Sequence, residues 1–363
     1  MAFRQYQLLR AILLVGTVSL NTLCTNWANQ MMSKASDGAE RLFNHPFLQA
    51  AAMFGGETLC LLAFKVVNVL SRNSEENVLT KGNRNLNPII LLPAAVFDLL
   101  STAIMYIGLT FTYPRSLLIF RGSAVLFVGV LSTVFLKKHI LLKEWLGMAN
   151  ITIGFVIVGV TDVIFASSKH QKGQNSLLTG DILIIISLVI SACQMVYEEK
   201  IISDLDIPPL QAVGWEGIFG FSMTSLLLFV FYWVPTPPHF GYRPNGTIED
   251  AIDGLVQIGN NQLLLCTVLG SVISVALSTF AGISITKKVS ATHRMVLDSI
   301  RTIVIWIVSV LVKWQEFYWL HIVGFAVLIL GMCNYNGLLT CNDRTYDDDD
   351  EDDEDEDFSI LNI

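Results

Sequence analysis

Charge is scarce in this chain. Only 15% of its 363 residues are Asp, Glu, Lys or Arg, against about 25% in ordinary soluble domains. So few charges cannot clothe a water-exposed surface, and with 53% apolar residues and a mean hydropathy of +0.55 the composition implies a polytopic membrane protein. Cysteine pairing is absent as well: there are six cysteines and no C-x-x-C, five of the six lie in apolar segments and Cys341 just beyond one, so neither a zinc site nor a disulfide framework is expected. The sequence lacks G-x-x-x-x-G-K-[ST], G-x-S-x-G and H-E-x-x-H, which removes phosphate-cradling loops and the common hydrolase sites. No enzymatic role, metal or cofactor is expected.

The charge that is present is unevenly placed. Asp347 to Asp357 is an unbroken acidic run of eleven residues, and removing it takes the net charge from −8 to +3. Such a block is a solvated tail, so 340–363 is read as a disordered acidic segment outside the fold. Before it, ten apolar windows recur, each long enough for roughly 30 Å of hydrocarbon. They fall near 7–27, 46–69, 88–110, 116–136, 141–164, 180–202, 210–234, 262–284, 292–312 and 317–339. Placing the N-terminus in the cytosol puts twelve loop Lys/Arg on that side and seven on the other, so both termini are expected to be cytosolic. The sequon at Asn245 then falls in the longest lumenal loop and is a glycosylation candidate.

The windows are internally repetitive. Leu48-Gln49-Ala50 and Leu210-Gln211-Ala212 open the second and seventh spans, 162 positions apart; Gly108, Thr110 and Thr112 pair with Gly282, Ser284 and Thr286 at 174; Ser132, Gly147 and Gly154 pair with Ser309, Gly324 and Gly331 at 177. Ten spans thus divide into two repeats of five, at 1–164 and 180–339. An odd number of spans per repeat inverts the second copy, the arrangement of secondary transporters with a site at the repeat interface. The fold class expected is an all-α integral membrane protein of ten transmembrane helices, as two inverted five-helix repeats around a central cavity.

A charge at the bilayer centre costs at least about 2.5–3.5 kcal/mol, so ionisable residues inside spans face a bundle interior or a water-filled cavity. Here they are Glu57 and Lys65, Asp98, Arg121, Glu216, and the trio Arg294, Asp298 and Arg301 in "ATHRMVLDSIRTIVIWIVSVLV". The trio's i, i+4, i+7 spacing keeps it within about 60° of one helix face. One reading is a staple in which Asp298 reaches both arginines; the other leaves guanidinium donors for a planar anion, with Arg121 contributing from the other repeat. Glu216 in "GWEGIFG" and Glu57 in "FGGETL" either carry a coupling proton or cation, or balance an arginine. Gln194 and Glu198 are four apart in the sixth span, and Glu198 and Glu199 are expected at a solvated rim. Ser271, Ser274, Ser278 and Gly282 give one face of the eighth span small residues suited to helix packing.

The segments "LQAVGWEGIFGF", "ATHRMVLDSIRTIVIW", "NPIILLPAAVFDLLSTAIMYIGL" and "QMVYEEK" together resemble solute carrier family 35, F branch, of the drug/metabolite transporter superfamily, over residues 1 to about 340. The resemblance implies a nucleotide-sugar-transporter-like carrier of organic anions in lysosomal, endosomal or mitochondrial membranes, and a partner in the mitochondrial adenine nucleotide carrier. It also implies kinship to the chloroquine resistance transporter, which handles cations and small peptides, and a non-transporting adaptor is a further alternative. Two departures stand out: Leu118 where relatives carry glutamine, and His293 where they carry a small hydroxyl. Glu356 followed by Ile360-Leu361 resembles an acidic dileucine sorting signal. A small-molecule substrate and membrane lipid are the expected ligands, with no nucleic acid; monomer and homodimer both stay open.

Overall fold

The computed structural model describes residues 2–70, 82–83, 86–112, 114–165, 174–235 and 246–336. Asn245, Glu356, Ile360, Leu361 and the acidic tail lie outside the described residues. The chain is mostly helical: α1 (Ala2–Asn29), a small hairpin of β1 (Met32–Lys34) and β2 (Glu40–Leu42), α2 (Pro46–Leu70), a 3-10 turn (Pro88–Leu91) leading into α3 (Leu92–Phe111), α4 (Pro114–Arg121), α5 (Ser123–Phe135), α6 (Leu142–Phe165), α7 (Gln174–Asp204), α8 (Pro209–Trp233), α9 (Ala251–Asn260), α10 (Gln262–Lys288), α11 (Ala291–Leu311) and α12 (Trp319–Tyr335).

Among the described residues, eight helical segments are long and apolar enough to cross a membrane. Each coincides with an expected span. The two expected spans outside that set explain themselves: α11 carries three charges, and α12 has only 17 residues. Burial follows membrane logic. Leu59, Leu62, Val134, Phe229 and Leu277 point outward, while Glu57, Glu198, Glu216 and Ser274 are buried, the reverse of a water-soluble domain.

Local chemistry sets several boundaries. Prolines at the starts of α2, α4 and α8 occupy first-turn positions where the missing N–H has no helical partner. Asn261 caps α10 by accepting from the Leu263 and Leu264 amides, and Ser290 caps α11 by accepting from the His293 amide. The fourth expected span runs as one apolar segment, Ser116–Phe135, whose helix is interrupted at Gly122 alone, a residue that keeps right-handed helical angles. Its carbonyl accepts from the Thr152 hydroxyl of α6 at 2.9 Å, and a Cβ there would come within 2.6 Å of Phe155 Cβ.

The most extensive helix pairs are α6 with α12, α2 with α8, α3 with α7 and α1 with α10. The α6–α12 contact is backbone on backbone. A Cβ on Gly147 would lie 2.8 Å from the Gly331 carbonyl oxygen, and one on Gly154 would lie 2.8 Å from that of Gly324. Small residues permit this approach. The Ser271, Ser274 and Ser278 face of α10 is buried as expected for packing, with Ser271 donating to Asn21 Oδ1 and pairing with Thr25 of α1.

The hairpin and α9 fall where no element was expected. Their reason is polar: His45 Nδ1 lies 2.8 Å from Glu249 Oε1, Asp253 accepts from the Ser36 amide and from Gln257 Nε2, and Ser33 donates to the Gln257 carbonyl. The bonds of His45, Ser36 and Ser33 tie α9 or its approach to the hairpin or the entry of α2, and the Gln257–Asp253 bond holds the two α9 side chains together. Burial pushes the Asp253 carboxyl up, but the bonds from Ser36 and Gln257 and the nearby His45 outweigh it and hold it below the ordinary carboxylate range.

Two outcomes follow. Gly331→Val should destabilise the protein by about 1–3 kcal/mol or more, because rigid backbone has nowhere to move, read as a fall in the unfolding midpoint in detergent. A depressed carboxyl stabilises above its unfolded pKa of about 3.9 and loses that contribution as pH falls through its folded value. Asp253→Asn should therefore lower the midpoint at neutral pH and flatten its decline below about pH 4.

Candidate functional site

Five helices turn a carboxyl or guanidinium group toward one region of the interior. From α2, Glu57 accepts from Thr279 Oγ1 of α10 at 2.7 Å. From α3 comes Asp98, held by the Thr102 side chain one turn on. From α7, Glu198 accepts from Gln194 Nε2 at 2.7 Å and from Arg294 Nη1 of α11 at 2.9 Å. From α8, Glu216 points into the same field: its electrostatic neighbours are Glu198, Glu57, Asp98 and Arg294. Glu216 is 5% exposed, and its Oε1 is buried without a hydrogen-bond partner among the described residues.

The Arg294 guanidinium rests on Gly282 of α10. A Cβ at Gly282 would sit 2.6 Å from Arg294 Nε. Glycine there lets the planar group lie flat and reach Glu198. The adjacent Glu199 pairs with Lys138, so α7 is tied through consecutive carboxylates to α11 and to the segment after α5. Nearby, His293 Nδ1 lies 2.8 Å from Ser290 Oγ and 3.2 Å from the Tyr335 hydroxyl, which joins the start of α11 to the end of α12.

A second group lies further along α11. Asp298 and Arg301 form an ion pair at 2.9 Å, and Arg121 at the end of α4 faces the same carboxylate. Here one carboxylate is bonded to Arg301 and lies in the field of Arg121 and Arg294.

The sequence expectations need three corrections. Arg294 makes its direct ion pair with Glu198 across helices rather than with Asp298, whose direct pairing runs to Arg301, although Arg294 remains among the charges acting on Asp298. Glu198 and Glu199 are each 1% exposed and paired, not solvated at a rim. Lys65 is exposed on α2 and does not join the interior group. The expected Glu57, Asp98, Gln194, Glu216 and Arg294 do converge, and Arg121, Asp298 and Arg301 form the neighbouring group. Thr279, Thr102 and Lys138 were missed, and so was the interior role of Glu198. The Glu198 signal was present, since four residues from Gln194 is one turn of the same face; the threonines carried none.

Chemically, the first group holds four carboxyl groups and one guanidinium in a low-dielectric interior. It suits a cationic ligand or a bound proton. Removing one partner of a buried pair leaves the other uncompensated, at about 3–5 kcal/mol. Arg294→Ala should therefore destabilise strongly, while the double exchange Arg294→Gln with Glu198→Gln should recover most of the loss, measured as unfolding midpoints in detergent.

Comparison with known proteins fits this architecture. The profile of Solute carrier family 35 matches residues 4–233, and that of the EamA-like transporter family matches residues 178–336. Solute carrier family 35 member F6 of Homo sapiens is 42% identical over 341 residues, covering 93% of this chain and 91% of its own. The Rattus norvegicus protein of that name is 40% identical over 353 residues, covering 95% and 94%. A Schizosaccharomyces pombe protein is 28% identical over 323 residues, covering 87% of this chain and 96% of its own. A crystal structure superposes with a TM-score of 0.60 at 14% identity, covering 92% of this chain and 97% of that one, a likeness of fold alone. Apolar spans, an interior lined with ionisable groups and identity along nearly the whole length lead to one conclusion: the chain is a multi-pass membrane protein of solute carrier family 35, in the drug/metabolite transporter superfamily.

Proposed function

We propose that the chain is a secondary-active carrier whose interior carboxyl group set takes a cationic substrate, an organic amine or guanidinium compound, or exchanges it for protons. The observation that carries this reading is Glu216: a buried carboxylate oxygen with no hydrogen-bond partner among the described residues, facing Glu57, Asp98 and Glu198, with Arg294 as their shared guanidinium. Four carboxyl groups against one cation cannot all stay charged in a dry interior unless something positive joins them. Transport then couples to the charge of whatever binds.

The carrier works as two inverted five-helix repeats, α1–α6 and α7–α12, ten spans in all, rocking about this site with both termini in the cytosol. The glycine contacts support it. If residues 177 apart are equivalent, the contact of Gly147 with Gly331 maps onto that of Gly324 with Gly154, and both are present. The pairing of α3 with α7 maps onto that of α10 with α1 in the same way. A family profile that spans 178–336 on its own supports treating the second half as a unit.

One observation favours a second reading. Arg121 and Arg301 flank the single carboxylate Asp298, leaving positive charge for an organic anion of nucleotide-sugar type. We further propose an endosomal or lysosomal address, or a mitochondrial one, and the mitochondrial adenine nucleotide carrier as a partner under the adaptor alternative, as the sequence resemblance implies.

The test is the unfolding midpoint of the purified protein against amines, guanidinium compounds, basic peptides, nucleotide sugars and free nucleotides. A ligand at 100 times its Kd adds about 2.7 kcal/mol. The expected result is a rise with cations that disappears in Glu216→Gln and survives in Arg301→Gln. A rise only with anions, lost in Arg301→Gln, would replace this reading by the second, and no rise at all would favour the adaptor.

A further inference from the structure

Helix α9 is amphipathic the wrong way round for a helix packed on a water-soluble domain. Its polar face is inside: Asp253 is 6% exposed and Gln257 2%, bonded to Ser36, Ser33 and each other. Its apolar face is outside, with Ile252 and Leu255 each 59% exposed and Val256 beside them. The buried bonds fix the rotation of the helix, so it cannot roll to hide that face without breaking them. In water this arrangement would expose apolar surface for no return.

The surroundings identify what covers it. After the Asn261 cap the chain runs directly into α10, whose exposed Leu263, Leu265 and Leu269 belong to the outward apolar belt of a membrane-spanning helix. By the alternation of the helices, the end of α1, the end of α8 and the start of α12 lie at this same end of the molecule, and each carries an exposed tryptophan: Trp27, Trp233 and Trp319. Tryptophan concentrates at the level of the lipid headgroups. We infer that α9 lies in the membrane interface, with Ile252, Leu255 and Val256 among the acyl chains and its Asp253–Gln257 face clamped to the hairpin and His45. It is the disposition of an interfacial helix, held here by protein contacts rather than by a charged outer face. The occupant of this surface is lipid, and α9 sets the depth at which the polar cap of the molecule sits.

The test places a nitroxide at Leu255→Cys in the full-length chain, with the six native cysteines replaced by alanine, reconstituted in phosphatidylcholine vesicles. A matching label at Glu40→Cys, exposed on the hairpin, is the aqueous control. Collisions with oxygen should exceed those with a water-soluble nickel chelate several-fold at 255, with the order reversed at 40. A water-like ratio at 255 would overturn the inference, as would shielding from both reagents, which would place a second copy on this face. The unaltered protein gives an independent reading: a diazirine-bearing lipid should label the segment 251–260 as it labels Leu263–Leu269, and labelling of α10 without α9 would contradict the assignment.

Discussion

The ion pair between Glu198 of α7 and Arg294 of α11 is the interaction on which the interior depends. Neither group is tolerable alone in a low-dielectric environment, and each is reached only because its neighbours yield space: Gly282 lets the guanidinium lie flat, and Gln194 takes the second carboxylate oxygen. The pair joins two helices of the second half of the chain, while Glu199 and Lys138 beside it join that half to the first. Once Arg294 is engaged there, the charge balance of the interior is fixed. Glu57, Asp98 and Glu216 remain without a guanidinium of their own, while Arg301 and Arg121 are gathered on Asp298.

That division produces function from packing. The glycines of α2, α6, α8 and α12 bring backbones close, so the polar groups projecting between helices have little room. Under the function proposed above, selectivity would be by charge, because a ligand would have to complete a balance that this group leaves incomplete. In the carrier proposed above, breaking the contact of Glu199 with Lys138 would loosen the seam between the halves.

Much of this was legible in the sequence. Apolar window lengths located the helices, because lipid demands continuous hydrogen-bonded apolar segments. Intramembrane charge located most of the ionisable residues that gather in the interior, because such charge is costly to leave facing lipid, with exposed Lys65 the exception. The pairing was not legible: whether Arg294 turns to Asp298 on its own helix or to Glu198 on another depends on how closely α10 approaches, which Gly282 decides and no periodicity reveals. The interruption at Gly122 depended on a hydroxyl from another helix, and α9 was missed because a ten-residue helix with its polar face inward carries no signal of a span.

The central claim is that the uncompensated interior carboxylates bind positive charge. Its most direct measurement is the transient current from proteoliposomes on a solid-supported membrane when an amine or guanidinium compound is applied. The account predicts a displacement of positive charge that saturates with concentration and is abolished by Glu216→Gln. Silence toward every cation, with a current from an organic anion that Arg301→Gln removes, would contradict it.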